Sequence, residues 1–357
     1  MPAHANAKKE KSTVPGSPVS MADLARELGV SMTTISRALS DHHSIGPAMK
    51  QTVLKLAKKL NYQPNHLAAA LRKGKSKLLG VIVPYIEGRF FPSVVHGIET
   101  EARKAGFSVI ICQSNEDATD ERRNVDTLLN AQVAGILVSL ARTTTDAHHF
   151  DKVRKRGIPL VFFDRALDGA DINAVVLNDR EGGYLSTKHL LEQGCRRVAH
   201  FAGLQHLSIY KNRRQGYLDA LREAGIAPDE NLIVPSSLTV AEGAESMARL
   251  LALPGGPPDG VFAAGDSSAL GALQELKRRG LRVPQDVALA GFSNEGFTAI
   301  TEPMITSVDQ RCEEMGQAAV RLFLELFRAE AGQTFVARQV MLQPQLFIRE
   351  SSLHGEQ

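Results

Sequence analysis

Apolar positions recur with a helical period in three short segments near the N-terminus. In SMADLARELG, Leu24 and Leu28 lie four apart on one face, with Ala25 beside them. Ser20 stands where an N-cap is needed. Asp23 follows three residues later, where negative charge suits a helix start, and Gly29 suits a left-handed stop. Val30 is placed to plug the turn. Ser31 can cap a second helix, in which Ile35 and Leu39 repeat the spacing. This is the pattern of a helix-turn-helix, and equally of an ordinary αα-corner. A third helix opens at Gly46-Pro47, carries the stripe Val53, Leu56, Ala57 and Leu60, and stops near Asn61, with Pro64 barring continuation. Asn65 can then cap a short helix, His66 to Arg72, before a basic linker. Two turns are marginal in isolation, so this segment needs a partner to order it.

From Leu78 the period changes. The near-continuous apolar runs LLGVIVP, FSVIICQ, AGILVSL, IPLVFFD, RVAHFAG, GVFAAGD, VALAGFS and ITSVDQ alternate with amphipathic stretches such as PSVVHGIETEARKAG and RRQGYLDALREAG. That alternation predicts α/β architecture, with parallel sheets covered on both faces. There are more strands than one doubly wound sheet needs. AVVLND, residues 174–179, reads as a crossover into a second, similar lobe. The expectation is a small all-α helix-turn-helix domain over 19–64, a hinge helix and linker over 65–77, and a two-lobed body over 78–351. Lobe 1 would take about 78–177 and 311–337, and lobe 2 about 178–310 and 338–351. Residues 1–18 and 352–357 would be tails, the first disordered. Ligands of such sheets sit beyond the carboxyl ends of the strands, which places a binding site in the cleft between the lobes.

Charge separates the two parts. Residues 1–77 hold thirteen Lys and Arg against four Asp and Glu, net +9; the rest hold 29 against 35, net −6. A basic head on an acidic body is what a protein needs if only the head meets a polyanion. Lys50, Lys55, Lys58 and Lys59 lie within the third helix, so this charge is not only that of a solvated tail. The first eighteen residues carry no apolar block of a secretory signal, and no run approaches the roughly 18–20 apolar residues of a membrane helix. Three scattered cysteines, Cys112, Cys195 and Cys312, fit a reducing cytoplasm. No G-x-G-x-x-G follows the first strand and no P-loop occurs, so no nucleotide cofactor is expected. The adjacent pairs His42-His43 and His148-His149 would point apart on a helix and make poor metal sites. No catalytic set can be argued from spacing, so the chain is not read as an enzyme.

The combination V-S-x-x-T-I-S-R-A-L, then L-N-Y-x-P-N and A-x-x-L, over residues 19–71, resembles the DNA-binding head of the LacI family of bacterial transcription regulators. The body, through RFFPSVVHGIE, GILV, IPLVFFDR, NDREGG, NRRQGY, DSSALGAL, ITSVDQ and LFIRES, is similar to that family's effector-binding domain, related to periplasmic sugar-binding proteins. The resemblance implies that Met32 and Thr33 face base edges in the major groove and that Arg37 reaches a base or phosphate. Ser31, Thr34 and Ser36 would position the helix on phosphates. Asn61, Tyr62 and Asn65 would fix the third and hinge helices on the backbone, and Leu71 would wedge into the minor groove. Read as a sequence, Leu71 serves equally for helix–helix packing.

By position, the resemblance implies effector contacts from Phe90 or Phe91 as a stacking platform, and from Ser139, Asp164, Arg213, Asp266, Ser293 and Gln310 at strand ends. A strand-end Asp can equally cap the following helix, which leaves Asp164 and Asp266 open. Many sugar-responsive members have Asp where this chain has Ser293, and often Asn where it has Gly265. The lost carboxylate makes a sugar acid or sugar phosphate easier to accommodate. The implied protein is a ligand-responsive regulator, by family default a repressor of carbohydrate genes. It would bind a pseudo-palindromic operator as a homodimer, possibly a tetramer. A solute-binding receptor and a ligand-blind DNA-binding protein are the other classes; the basic head disfavours the first and the retained Phe pair, Arg213 and Asp266 the second.

Overall fold

Ser20 begins the first helix as the head sequence requires. Its hydroxyl accepts the Asp23 N–H at 3.3 Å while the Asp23 carboxylate accepts the Ser20 N–H at 2.9 Å, a reciprocal capping box. Helix α1 (Met21–Leu28) ends at Gly29, whose φ of 62° a side-chain-bearing residue would adopt only with strain. Helix α2 (Met32–Leu39) and α3 (Pro47–Lys59) follow. Leu24, Ala25, Ile35, Ala38, Val53 and Ala57 are the buried centre of this three-helix unit, with Val30 and Tyr62 packed on it. The computed structural model describes residues 19–62, 76–167, 169, 171–329 and 337–353. Contacts divide the chain into two units, meeting between Ser76 and Lys77. The expected hinge helix, with Asn65 and Leu71, lies outside the described residues.

The second unit holds two six-stranded sheets. The first is built from β1 (Leu78–Val83), β2 (Ser108–Gln113), β3 (Gly135–Val138), β4 (Leu160–Phe163), β5 (Ala174–Leu177) and a late strand, β11 (Gln339–Leu342), in the order β11-β5-β4-β3-β1-β2. Helices α4 (Phe90–Lys104), α5 (Ala118–Asn130) and α6 (Asp151–Lys155) lie between its strands in sequence. The second sheet contains β6 (Val198–Phe201), β7 (Ile233–Val234), β8 (Gly260–Ala263), β9 (Ala288–Phe292), β10 (Thr306–Asp309) and β12 (Gln345–Phe347), ordered β12-β10-β9-β8-β6-β7. Helices α7 (Asp179–Glu192), α8 (Ser208–Glu223), α9 (Val240–Leu251) and α10 (Asp266–Arg278) connect these, and α11 (Cys312–Arg328) returns to the first lobe. Every pairing is parallel except β10 with β12. In both sheets strand order reverses beside the first strand, between β1 and β3 and between β6 and β8, which creates a crevice at the strands' carboxyl ends.

Three expectations need correction. Strand β11 pairs with β5, so the chain stays in lobe 1 through Leu342 and crosses only at 343–344, not near 337. Helix α4 begins at Phe90, two residues before the expected start, so the Phe pair belongs to its first turn. The two-residue strand β7 and the last two strands, β11 and β12, escaped notice. Their residues are largely exposed or too few to carry an apolar run.

Candidate DNA-reading face and effector cleft

The outer face of α2 is polar and open. Met32 is 57% exposed, and Thr33 and Arg37 are also exposed, on the side opposite the buried Ile35 and Ala38. Ser31 and Thr34 are already engaged. The Ser31 hydroxyl accepts the Thr34 N–H at 3.1 Å and lies 2.9 Å from the Thr34 hydroxyl. Their first task is to start the helix, and Ser36 is half-buried. Asn61 adopts φ 51°, donating its N–H to Lys58 O at 3.2 Å, while Tyr62 N–H reaches Ala57 O at 2.8 Å. Together these satisfy the last carbonyls of α3. Lys55, Lys58 and Lys59 are exposed, whereas Lys50 is tied to the Asp41 carboxylate at 2.6 Å. His42 and His43 do not point apart, because they lie in a turn and their rings stack 4.2 Å apart.

In the body, each lobe holds a buried hydrogen-bonded set of polar side chains, and the charges of the two sets reach each other. Arg213, on α8, is almost fully buried, and each of its guanidinium nitrogens has an acceptor. Nε donates to Asp179 Oδ1 at 2.7 Å, one terminal nitrogen to Ala264 O at 2.8 Å, and the other to Gln310 Oε1 at 3.2 Å. The plane lies over Phe292, 3.6 Å from the ring centroid, with Tyr210 at 5.4 Å. Gln310 Nε2 in turn donates to the Ser293 hydroxyl at 2.8 Å. Asp179 is brought to Arg213 by the close approach of α7 and α8. A Cβ at Gly183 would strike the Arg213 carbonyl, and one at Gly216 the Arg180 carbonyl. Only glycine at both crossings lets these two backbones meet.

Lobe 1 presents Asp164 from the end of β4, in a left-handed conformation with φ 57°. It does not cap a helix. The Ser139 hydroxyl donates to its Oδ2 at 3.3 Å, and the Arg165 Nε lies 3.9 Å from the same oxygen. Burial pushes its carboxyl up to about 6, against the pull of Arg165, and the charges of Asp179 and Arg213 both reach it. Arg165 itself donates to Glu116 Oε2 at 2.7 Å and to Leu140 O at 3.3 Å. Glu116 also accepts the Arg142 N–H at 2.8 Å, which ties together the loops after β2, β3 and β4. Burial opposes ionisation of Glu116, but Arg165 and Arg142 hold its carboxyl below the ordinary range. Tyr85, following β1, faces the same group, and burial pushes its phenol up to about 12.

Two expected contacts fall elsewhere. Phe90 and Phe91 are buried, packed edge to face on each other, with Tyr85 edge-on to Phe91, so they form core rather than an open stacking platform. Asp266 neither faces the cleft nor caps α10. Its Oδ1 accepts the Ser307 hydroxyl at 2.7 Å and its Oδ2 the Glu295 N–H at 2.8 Å, fixing the loop after β9 from behind. That loop crosses to lobe 1. Glu295 Oε2 accepts the Arg89 N–H at 2.9 Å, and the Arg89 guanidinium donates to Asn294 O at 2.8 Å. On another side of the cleft, His206 Nε2 meets Arg142 O at 2.9 Å. Sequence reasoning passed over Tyr85, Glu116, Asp179, Tyr210 and Glu295. Asp179 alone had a signal, since it lies inside NDREGG.

Such a chain, a helix-turn-helix head on a two-lobed clamp of periplasmic-binding-protein type, is built as a ligand-sensing DNA-binding regulator. The pattern described as bacterial regulatory proteins, lacI family, matches residues 20–65, and that of the periplasmic binding protein-like domain matches 187–352. The HTH-type transcriptional repressor PurR of Mannheimia succiniciproducens is 30% identical over 92% of this chain and 97% of its own. A transcriptional regulator CelR–cellobiose complex superposes with TM-score 0.71 at 28% identity, covering 93% of this chain and 99% of that one. The lac repressor dimer bound to operator and the anti-inducer ONPF shares the fold, with TM-score 0.82 and 24% identity over 95% and 100% of the two chains. The chain belongs to the LacI family. Its relatives are transcription regulators rather than enzymes. No helix among the described residues is long and apolar enough to cross a membrane.

Proposed function

We propose that the protein is a cytoplasmic transcriptional repressor that binds a pseudo-palindromic operator as a homodimer and responds to a carbohydrate held between its lobes. One observation carries this reading. Polar residues just past the carboxyl ends of strands, Ser139 and Asp164 in one lobe and Ser293 and Gln310 in the other, are joined in the second lobe by Arg213 from helix α8. A ligand there touches both lobes, so it binds their two relative positions with different affinity and shifts the balance between them. The CelR relative is a cellobiose complex, and the PurR relative is named a repressor. Met32, Thr33 and Arg37 read bases, and the hinge segment 65–77 transmits the lobe position. Strand β2 supports dimerisation: it ends its sheet, none of its six residues is buried, and Ile111 is exposed.

Selection of DNA from a random pool, followed by anisotropy titration with and without cellobiose, ribose and related sugars, tests the reading. A two-fold symmetric site is expected, with an affinity that falls steeply with salt and changes with one of the sugars. Selection of an asymmetric site, or binding indifferent to every sugar, would count against it.

A further inference from the structure

We infer that the end of lobe 1 where its strands begin is a second DNA surface, one that meets duplex phosphates without regard to base sequence. This rests on the DNA-binding reading of the head. Every pairing in the sheet of this lobe is parallel, so strand starts and helix ends share one end of it. The segments there, residues 101–108, 127–135, 152–160, 171–174, 325–329 and 337–339 together with Lys77, hold nine Lys and Arg against three Asp and Glu, on a body that is acidic as a whole.

Five of these cations are already paired. Arg103 meets Glu99, Lys104 Glu101, Lys152 Asp126, Arg154 Asp151 and Arg338 Glu325. Those pairs, and the negative end of a helix, account for them. Lys155, Arg156 and Arg328 are exposed and have no acidic partner among the described residues. Helix α6 has five residues, too few for a dipole that calls for two further cations at its end. The face is continuous. Arg154, Asn173 and Leu326 line one groove, and Asn173 Oδ1 accepts the Arg338 N–H at 3.1 Å. Beside Leu326, the Phe327 ring stands edge-on to Phe107 at 5.3 Å, and Lys77 Nζ lies 4.6 Å from the centre of the Phe107 ring.

The chain itself points to DNA as the partner. Lys77 opens the body on this face, and fourteen residues, 63–76, separate it from Tyr62 of the head. Fully extended they reach at most about 50 Å, so a duplex held by the head arrives on a short tether that starts here. Exposed Lys and Arg on phosphates add affinity and salt dependence and leave base choice to α2.

The test is fluorescence anisotropy of the full chain on a labelled mixed-sequence duplex several helical turns long, from about 50 to 200 mM salt. Each phosphate contact accounts for about a three- to fourfold loss of affinity across that range. In Lys155→Gln/Arg156→Gln that loss should shrink by about tenfold, with melting temperature and base preference unchanged. Arg328→Gln, on another element of the same face, should shrink it about three- to fourfold, and serves if the double variant folds poorly. Lys277→Gln/Arg279→Gln removes equal charge from exposed positions at the end of α10 in the other lobe and should change nothing. A salt response unaltered in both variants of the face, or altered equally by the α10 pair, overturns the inference. DNA affinity retained in the double variant, with binding to phosphatidylglycerol vesicles lost, gives the face to a lipid surface and overturns it too. Arg37→Ala separates the two claims: if it leaves all DNA binding intact while the face variants weaken it, the head reading fails and the second surface stands.

Discussion

Removing the Glu295 carboxylate should open the cleft. Helix α4 has no side chain capping its start, and the backbone N–H of Arg89, the residue just before it, donates to Glu295 Oε2 at 2.9 Å across the cleft. The start of a helix carries partial positive charge and unpaired N–H groups, so a carboxylate there is stabilising. The bond exists only while the lobes are together. A charge-assisted hydrogen bond contributes about 1.5–3 kcal/mol, and partial exposure of Glu295 to solvent reduces this to about 1–2 kcal/mol. Glu295→Ala should therefore lower the closed-to-open ratio by about 5- to 30-fold, and Glu295→Gln, which keeps a neutral acceptor, by less. Hydrogen exchange of the peptide spanning residues 86–95, read beside the radius of gyration in solution, measures both consequences. Faster exchange at the start of α4 and a larger radius are expected in Glu295→Ala. Unchanged exchange and radius would show that the cap contributes nothing to closure.

Arg37→Ala should weaken operator binding by about 1–3 kcal/mol and relax base choice at one position per half-site; equal loss on every sequence would make Arg37 a phosphate contact. Asp164→Asn should be more stable than the wild type above pH 6. Burial raises the folded-state carboxyl to about 6 from an ordinary 3.8, so its contribution is intact below the unfolded value and is lost as pH rises through the folded one. The gap in melting temperature should close toward pH 4, and a gap constant from pH 4.5 to 7.5 would contradict this. Gly216→Ala should lower the unfolding free energy, measured by denaturant titration, by about 1–3 kcal/mol or more, because the new methyl meets the Arg180 carbonyl and the Tyr184 N–H; a neutral substitution would show that α7 and α8 separate freely.

The head was nearly all legible, because each decision in it is local. Ser20, Asp23, Gly29, Ser31 and Asn61 act on groups within five residues of themselves, and their chemistry admits few alternatives. The strands of the body were legible for a related reason: a strand buried on both faces reads as an apolar run. The cleft was legible only as a set of places. Strand ends said which residues could arrive there, but not what each would touch. Asp179 and Arg213 are 34 residues apart in sequence, and only the glycine crossing of α7 on α8 joins them. Asp266 and Ser307 are 41 apart, and their bond turns an apparent ligand contact into a support. Phe90 and Phe91 misled because an aromatic pair after a strand looks the same whether it faces a ligand or the core.

On the proposed reading, binding and closure meet in the loop after β9. Ser293 accepts from Gln310, which accepts from Arg213, so its position depends on the hydrogen bonds inside the cleft. Asn294 and Glu295, the next two residues, hold Arg89 of the opposite lobe. Asp266 grips the Glu295 N–H from behind, and Asn294 is fixed by Asp309 at 2.9 Å and Arg349 at 2.7 Å. Three consecutive residues thus join the Gln310–Arg213 hydrogen bonds to the lobe contact, on a backbone with φ 117° at Ser293 and 48° at Asn294. Such a segment has little freedom to change one contact while keeping the other. A hydroxyl that takes over the Gln310 or Ser293 hydrogen bond would therefore also move the Glu295 cap. Binding and lobe position would be coupled through residues 293–295, with no need for a longer path through the sheet.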